Sequence, residues 1–298
     1  MRKLARIGIA VFIGLTLGVF ALSALVAEGS LRIQDRPRPS PRAAGILAGE
    51  TDSDWEAVRI SAADGVPLEA WRIVPHESSG ATVILLHGVG DTRLGMISHA
   101  QLLLRDGFAV LMPDARGHGS SGGDLTTYGI REAGDVHDWA DWLFRERGGQ
   151  RLYGLGESMG AGILLQALAC EPRFRAVVAE CPFATFEEGA GDRLSGSGLP
   201  RLLVWPVTRL GMLYARALYG LDFHRASPAA AVRATHVPVL LIHGALDANL
   251  RPENSRVLHA VNPATVLWEV PGAHHVDALS TRPALYRRTV TGWFYSHP

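Results

Sequence analysis

Residues 151–162, Arg151-Leu152-Tyr153-Gly154-Leu155-Gly156-Glu157-Ser158-Met159-Gly160-Ala161-Gly162, carry the reading that decides the fold. Within them Gly156-Glu157-Ser158-Met159-Gly160 matches G-x-S-x-G, the pattern of a serine on a sharp turn between a strand and a helix. A turn this tight strains the backbone at the serine and leaves no room for side chains at 156 and 160, so glycine fits there. The serine hydroxyl is thereby pushed into the open. The pentapeptide alone is weak, because with 33 glycines in 298 residues a chance match is expected about 0.2 times. Gly119-Ser120-Ser121-Gly122-Gly123 fits it too, in a glycine-rich loop with no strand before it and no helix after it. Context separates the two. Ser158 follows a strand-like run at Arg151–Leu155 and precedes Met159–Ala169, whose small and apolar residues read as a buried helix.

Outward from this unit the pattern is a hairpin followed by strands and helices in alternation. Val58–Ser61 and Leu68–Val74 flank Asp64-Gly65, a hairpin turn signal. Thr82–Leu86 and Ala109–Met112 are continuous apolar strands, with a helix at Met96–Arg105 between them. Arg131–Arg147 is amphipathic, carrying Val136, Trp139, Ala140 and Leu143 on one side. Strands follow at Ala176–Ala179, Val239–Ile242 and Val266–Val270, with helices near Asn254–Ala260 and Pro283–Ser296. Apolar strands alternating with helices predict an α/β domain on a mostly parallel central sheet with helices on both faces. At 47% hydrophobic residues the chain has ample material for such a core.

The N-terminus reads differently. Arg2, Lys3 and Arg6 precede an uncharged apolar run from Ile7 to Ala27, about 31 Å long as a helix and so sufficient for a bilayer core. A cleaved signal peptide has a shorter apolar region and an A-x-A-like site. Leu25-Val26-Ala27 puts a bulky residue where a small one is needed, so the reading is an uncleaved anchor over residues 1–30. A short basic terminus left in the cytoplasm puts the domain outside, although Arg32, Arg36, Arg38 and Arg42 on the other flank weaken the charge asymmetry. Arg36-Pro37-Arg38-Pro39-Ser40-Pro41-Arg42 reads as part of an extended, semi-rigid linker over residues 31–52, leaving 53–298 as the folded domain. Cys170 and Cys181 fit buried thiols or a disulfide equally.

Composition excludes several chemistries. Zero formal net charge gives no argument for nucleic acid. Lys3 is the sole lysine, which removes Ser-Lys hydrolases, Schiff-base enzymes and Walker-type nucleotide sites from the folded domain. His274, His275 and Asp277 stand together, but no metal-spaced Cys or His pair accompanies them, so neither metal nor cofactor is expected.

A serine hydroxyl needs a base to take its proton and an acid to orient that base. In the order Ser…Asp…His these belong after Ser158, at the C-terminal ends of later strands. Asp247 follows the Val239–Ile242 strand and His275 follows the last strand, with Glu180 and His274 as their rivals. Two backbone N–H groups must also face the oxyanion. Met159, at a helix N-terminus, is one, and Val89 in His87-Gly88-Val89-Gly90 is the other.

These motifs together resemble the α/β-hydrolase fold, in its branch of small bacterial esterases and serine-aminopeptidase-like hydrolases. The resemblance covers roughly residues 55–296. It rests on Leu86-His87-Gly88, Asp114-Ala115-Arg116-Gly117-His118-Gly119-Ser120-Ser121-Gly122, Gly156–Gly160, His243-Gly244 with Asp247, and Pro271-Gly272-Ala273-His274-His275. The family's last motif ends in Gly-x-Gly-His; laid on this chain, His274 stands at its second glycine and His275 at its histidine. The family implies attack by Ser158 on an ester or amide carbonyl and an acyl-enzyme, with His275 as base and then acid. It also implies a structural role for Arg116 and His118.

The segment from about 183 to 237 stands where this fold carries a lid. Leu199–Leu218 is rich in Leu, Trp and Tyr, with Pro206 expected to break or kink it. A lid over an apolar acyl pocket is the expectation, with a small acyl ester, lipid-like chains included, as substrate. A serine peptidase of the same fold and a catalytically silent scaffold are the alternatives.

Overall fold

The computed structural model describes residues 2–33, 38–147 and 151–298. It opens with α1 (Arg2–Leu31) and α2 (Pro41–Glu50), then the strands β1 (Ser53–Ser61), β2 (Pro67–Pro75) and β3 (Ala81–Leu86). Then come α3 (Ile97–Arg105), β4 (Ala109–Pro113), α4 (Glu132–Arg147), β5 (Arg151–Glu157), α5 (Met159–Ala167) and β6 (Phe174–Glu180). Three helices follow: α6 (Phe186–Gly196), α7 (Arg201–Tyr219) and α8 (Pro228–Ala234). The chain closes with β7 (Val239–Gly244), α9 (Glu253–Val261), β8 (Val266–Val270), α10 (Ala278–Thr281) and α11 (Pro283–Tyr295).

The eight strands form one sheet in the order β1-β2-β4-β3-β5-β6-β7-β8. β2 pairs antiparallel with β1 and β4, and every later pairing is parallel. Gly65 turns the β1–β2 hairpin with φ +84°, a conformation only glycine adopts freely. Along β3 the side chains alternate between two cores: Ile84 and Leu86 pack under α4 and α5, while Val83 and Leu85 pack under α3 and α11. The continuous apolar character of the central strands follows from this double covering. β5, β6 and β7 are parallel neighbours, so Ser158 and Asp247 both emerge past the C-terminal ends of the strands.

Three expectations from sequence change. Arg36 and Pro37 lie outside the described residues, but the second half of the supposed linker is the helix α2. Ser40 accepts the Arg42 N–H at its N-cap, Pro41 occupies the first turn, and Ala44, Leu47 and Ala48 are buried in the core beside α3 and α11. The folded part of the chain therefore includes α2 and does not begin at 53. Pro206 leaves α7 unbroken; it forfeits one bond to the Leu202 carbonyl near the helix start, where both residues are exposed to water. Within 183–237, α8 packs on α5 through Ala229 and Val232 as part of the layer covering the sheet, while α6 and α7 line the cavity at the serine. Cys170 and Cys181 are free thiols.

α1 is long and apolar enough, over Arg6–Leu31, to cross a membrane or to act as a signal sequence. Leu47→Ala should lower the unfolding free energy in urea by about 2–5 kcal/mol, the cost of a cavity in a packed core. A change within about 0.5 kcal/mol, as for a surface site, contradicts the assignment of α2 to the domain.

Candidate active site

Ser158 stands between β5 and α5 with φ +50°, in the left-handed region that a serine adopts only under constraint. Close backbone contact supplies the constraint. A Cβ on Gly160 would lie 2.2 Å from the Leu86 carbonyl oxygen, and one on Gly156 would lie 2.5 Å from the Gly160 oxygen. The Ser158 N–H donates to the Glu180 carbonyl at 2.8 Å, which ties the turn to the end of β6.

The Ser158 hydroxyl donates to His275 Nε2 at 2.9 Å, and His275 Nδ1–H donates to Asp247 Oδ2 at 2.7 Å. The three side chains that sequence order and strand ends pointed to are thus brought into one hydrogen-bonded line. Burial opposes ionisation of Asp247, yet hydrogen bonds from His243, His275 and the Leu250 N–H hold its carboxyl well below the ordinary range. The Asn249 and Leu250 N–H groups donate to its other oxygen at 2.8 and 3.0 Å. A carboxylate so held stays charged and fixes the His275 tautomer with Nε2 free to accept a proton.

The rivals lie elsewhere. His274 is exposed, its Nδ1–H directed to the Leu246 carbonyl at 3.2 Å. Glu180 accepts from the Ala278 N–H at 3.1 Å and the Tyr286 hydroxyl at 2.8 Å. Ser121, centre of the second G-x-S-x-G, is a buried structural serine that donates to the Asp114 carbonyl at 2.7 Å and accepts the Glu69 N–H at 2.9 Å.

Val89 and Met159 line one cavity with Ser158. Met159 opens α5, where the first amides have no partner within the helix. The Val89 loop is held by two neutral histidines. His87 Nδ1–H donates to the Gly88 carbonyl at 2.8 Å, and its Nε2 accepts the Ala115 N–H at 3.0 Å. His118 Nε2 accepts the Gly90 N–H at 3.2 Å, and its Nδ1–H donates to the Arg116 carbonyl at 3.1 Å. Burial lowers the His87 pKa, consistent with a ring that stays neutral. Arg116 itself binds Asp64 and Asp135 and shapes the loop from behind.

Behind the serine is a buried cluster that sequence reading did not bring together. His99 Nε2 lies 3.4 Å from Glu157 and 3.8 Å from Glu180, and 3.0 Å from the Tyr286 hydroxyl. Burial pushes the Glu157 carboxyl up to about 7; His99 opposes this and the Glu180 charge adds to it. Burial alone would lower the His99 pKa, but the charges of Glu157 and Glu180 raise it.

Three groups of described residues hold ligating atoms within 4.8 Å of one another, as an ion needs: Cys181–Asp247–His275, His99–Glu157–Glu180 and His137–Asp141–Glu171. In the first, Asp247 and His275 already bond each other, and burial pushes the Cys181 thiol well above its ordinary pKa. In the third, Arg173 occupies the cation position, 2.6 Å from Asp141 and bonded to Glu171.

The serine aminopeptidase S33 family model matches residues 77–227, about half of the chain. The chain belongs to this family. The matched span holds the Val89 loop, Ser158 and α6 to α7, and it ends before Asp247 and His275. The uncharacterised protein YqkD of Bacillus subtilis is 29% identical over 235 residues, 78% of this chain and 76% of that protein. YfhR of Escherichia coli K12 is 27% identical over 253 residues, 81% of each chain. Among solved structures, the Pyrococcus furiosus esterase Pf2001 is 25% identical with TM-score 0.71, covering 88% of this chain and 98% of that one. A puromycin-hydrolysing peptidase of Mycobacterium tuberculosis, 16% identical, shares the fold at TM-score 0.66 over 83% of this chain and 40% of its own. The chain has the α/β-hydrolase fold.

Glu157 binds its proton more tightly folded than unfolded, so stability falls as pH rises from about 4.5 to about 7. Glu157→Gln removes that slope. The melting temperature of the variant relative to wild type should therefore rise between about pH 5 and about pH 8. A difference that stays constant across this range in calorimetry contradicts the assignment.

Proposed function

We propose that this protein is a membrane-anchored serine hydrolase that cleaves carboxylic esters through Ser158, His275 and Asp247. The observation that carries the reading is the continuous line Ser158 Oγ to His275 Nε2 at 2.9 Å and His275 Nδ1 to Asp247 at 2.7 Å, on a strained elbow open to a cavity. As His275 takes its proton, Ser158 Oγ attacks the ester carbonyl. The carbonyl electron pair moves onto oxygen, and the Val89 and Met159 N–H groups stabilise it. Collapse expels the alcohol, which receives the proton from His275, and leaves an acyl-Ser158. Water, deprotonated by His275, repeats the attack and releases the acid and the free serine. Asp247 stays ionised throughout and stabilises the imidazolium.

The cavity supports an ester over an aminopeptidase substrate. It encloses about 430 Å³ between α6, α7 and the serine, in the usual size range for a small-molecule site. Its lining is mostly apolar, and among the described lining residues the one charged side chain is Arg193. A substrate ammonium needs a carboxylate there, and a guanidinium repels it. The esterase Pf2001, at 25% identity, points the same way. α6 and α7 act as a lid over the acyl chain.

α1 is the anchor. Ile9, Phe12 and Leu15 on its front half are 61%, 71% and 67% exposed, an apolar surface that matches hydrocarbon. With the basic end Arg2, Lys3 and Arg6 in the cytoplasm, the catalytic domain stands outside.

A fluorescent fluorophosphonate should label the wild-type protein and His274→Ala, and fail to label Ser158→Ala or His275→Ala. Ester turnover in Ser158→Ala should drop about a thousandfold or more. A folded wild-type protein that takes no label points to a silent scaffold domain and rejects the hydrolase reading.

A further inference from the structure

The rear of α1 is built into the domain. Ser23, Ala27 and Leu31 recur every four residues and are buried, one stripe of the helix, while the front half stands free. The stripe lies on α7 at Gly211, where a Cβ would come within 3.4 Å of the Ser23 carbonyl oxygen and 3.7 Å of the Ala27 Cβ. Small residues allow this close crossing. Polar contacts then fix its register. Tyr214 donates to Glu28 at 2.8 Å and Tyr219 donates to the same oxygen. The Thr126 N–H donates to the Leu31 carbonyl at 2.8 Å, and the Tyr128 hydroxyl donates to the Ser30 carbonyl at 3.1 Å. Tyr128 holds φ +52°, a strained conformation for an aromatic residue, with its side chain reaching α1 from the cavity wall.

Val26, Ala27, Ser30 and Leu31 line the same cavity as Ser158 and Met159. The free apolar run, residues 7–22, is about 24 Å long, shorter than a hydrocarbon core of about 30 Å. An α1 that spans must therefore draw its docked end into the outer edge of the bilayer, and α7 and the cavity come with it. Leu25, opposite the docked stripe of α1, and Leu202 and Leu213, opposite Gly211 on α7, are 71%, 77% and 58% exposed, apolar surface suited to lipid.

We propose that the docked end of α1 is a fixed wall of the ester cavity, and that this cavity takes the long acyl chain of a lipid ester directly from the bilayer that α1 enters. The inference rests on the hydrolase and anchor readings above and names their substrate class. Removal of α1 therefore opens the site instead of merely releasing the enzyme.

The test uses the full chain in phosphatidylcholine vesicles, with 4-methylumbelliferyl oleate and acetate as probes. Val26→Trp should lower the oleate-to-acetate ratio of kcat/KM by about tenfold or more, and Val26→Ala should move that ratio the other way. Oleate ester dissolved in the enzyme's own vesicles should turn over faster than the same ester in separate, enzyme-free vesicles. A ratio unchanged in both variants overturns the wall, and equal turnover from the two vesicle populations overturns delivery from the bilayer. A wild type silent toward both esters and toward fluorophosphonate instead removes the hydrolase reading, and this inference with it. Acetate turnover with a normal response to both variants, but from a protein that floats free of vesicles, overturns the membrane half alone.

Discussion

The backbone of α5 is pressed against the end of β3, and most of the site depends on that contact. Where Gly160 faces the Leu86 carbonyl, no β-carbon fits, and the 2.2 Å clearance means that even alanine must push the strand end or the helix aside. Because the two are so close, Gly88, just past the strand end, comes within ordinary contact of Ser158: a Cβ there would lie 3.6 Å from the serine Cβ. The Val89 loop and Ser158 are thus set against each other by main-chain packing, and the His87 and His118 hydrogen bonds hold the loop there. The strain at Ser158 is held by the rest of the fold, through the parallel register of β3, β5 and β6 and the bond from Ser158 N–H to Glu180.

Two carboxyls beside this turn are driven to opposite behaviour. Asp247 accepts from backbone amides and from two imidazoles, and remains an anion. Glu157, next to the serine in sequence, faces away into a buried pocket with Glu180 and His99, and its ionisation is opposed. Environment, not residue type, separates the roles. The Asp247 anion orients His275, while the Glu157 cluster lies under the elbow and packs it against Tyr286 of α11.

What the sequence disclosed is what local sterics and chain order control. The glycine spacing around Ser158, the strand-end positions of Asp247 and His275, and the continuous apolar runs of the core strands all report on neighbours a few residues away. Ser40 as N-cap with Pro41 at the first helical position signalled α2, but the surrounding Pro and Arg residues masked a helix only three turns long. Other features were not legible because their partners are remote. Tyr286 meets Glu180 across 106 residues, and Tyr219 meets Glu28 across 191. That α1 lines the cavity beside Ser158 depends on such contacts, so no motif in residues 1–31 announces it. His118, read as structural, holds the Gly90 amide beside Val89, a role visible only once the two loops are seen together.

The central claim is that Ser158 carries the acyl group. The most direct measurement is peptide mapping by mass spectrometry of the full-length protein, acid-quenched during turnover of a p-nitrophenyl ester. The account predicts an acyl increment on the peptide containing Ser158 and none on the peptide containing Ser121. An increment confined to another residue, or turnover with no covalent adduct in a protein whose Ser158→Ala variant remains active, contradicts it.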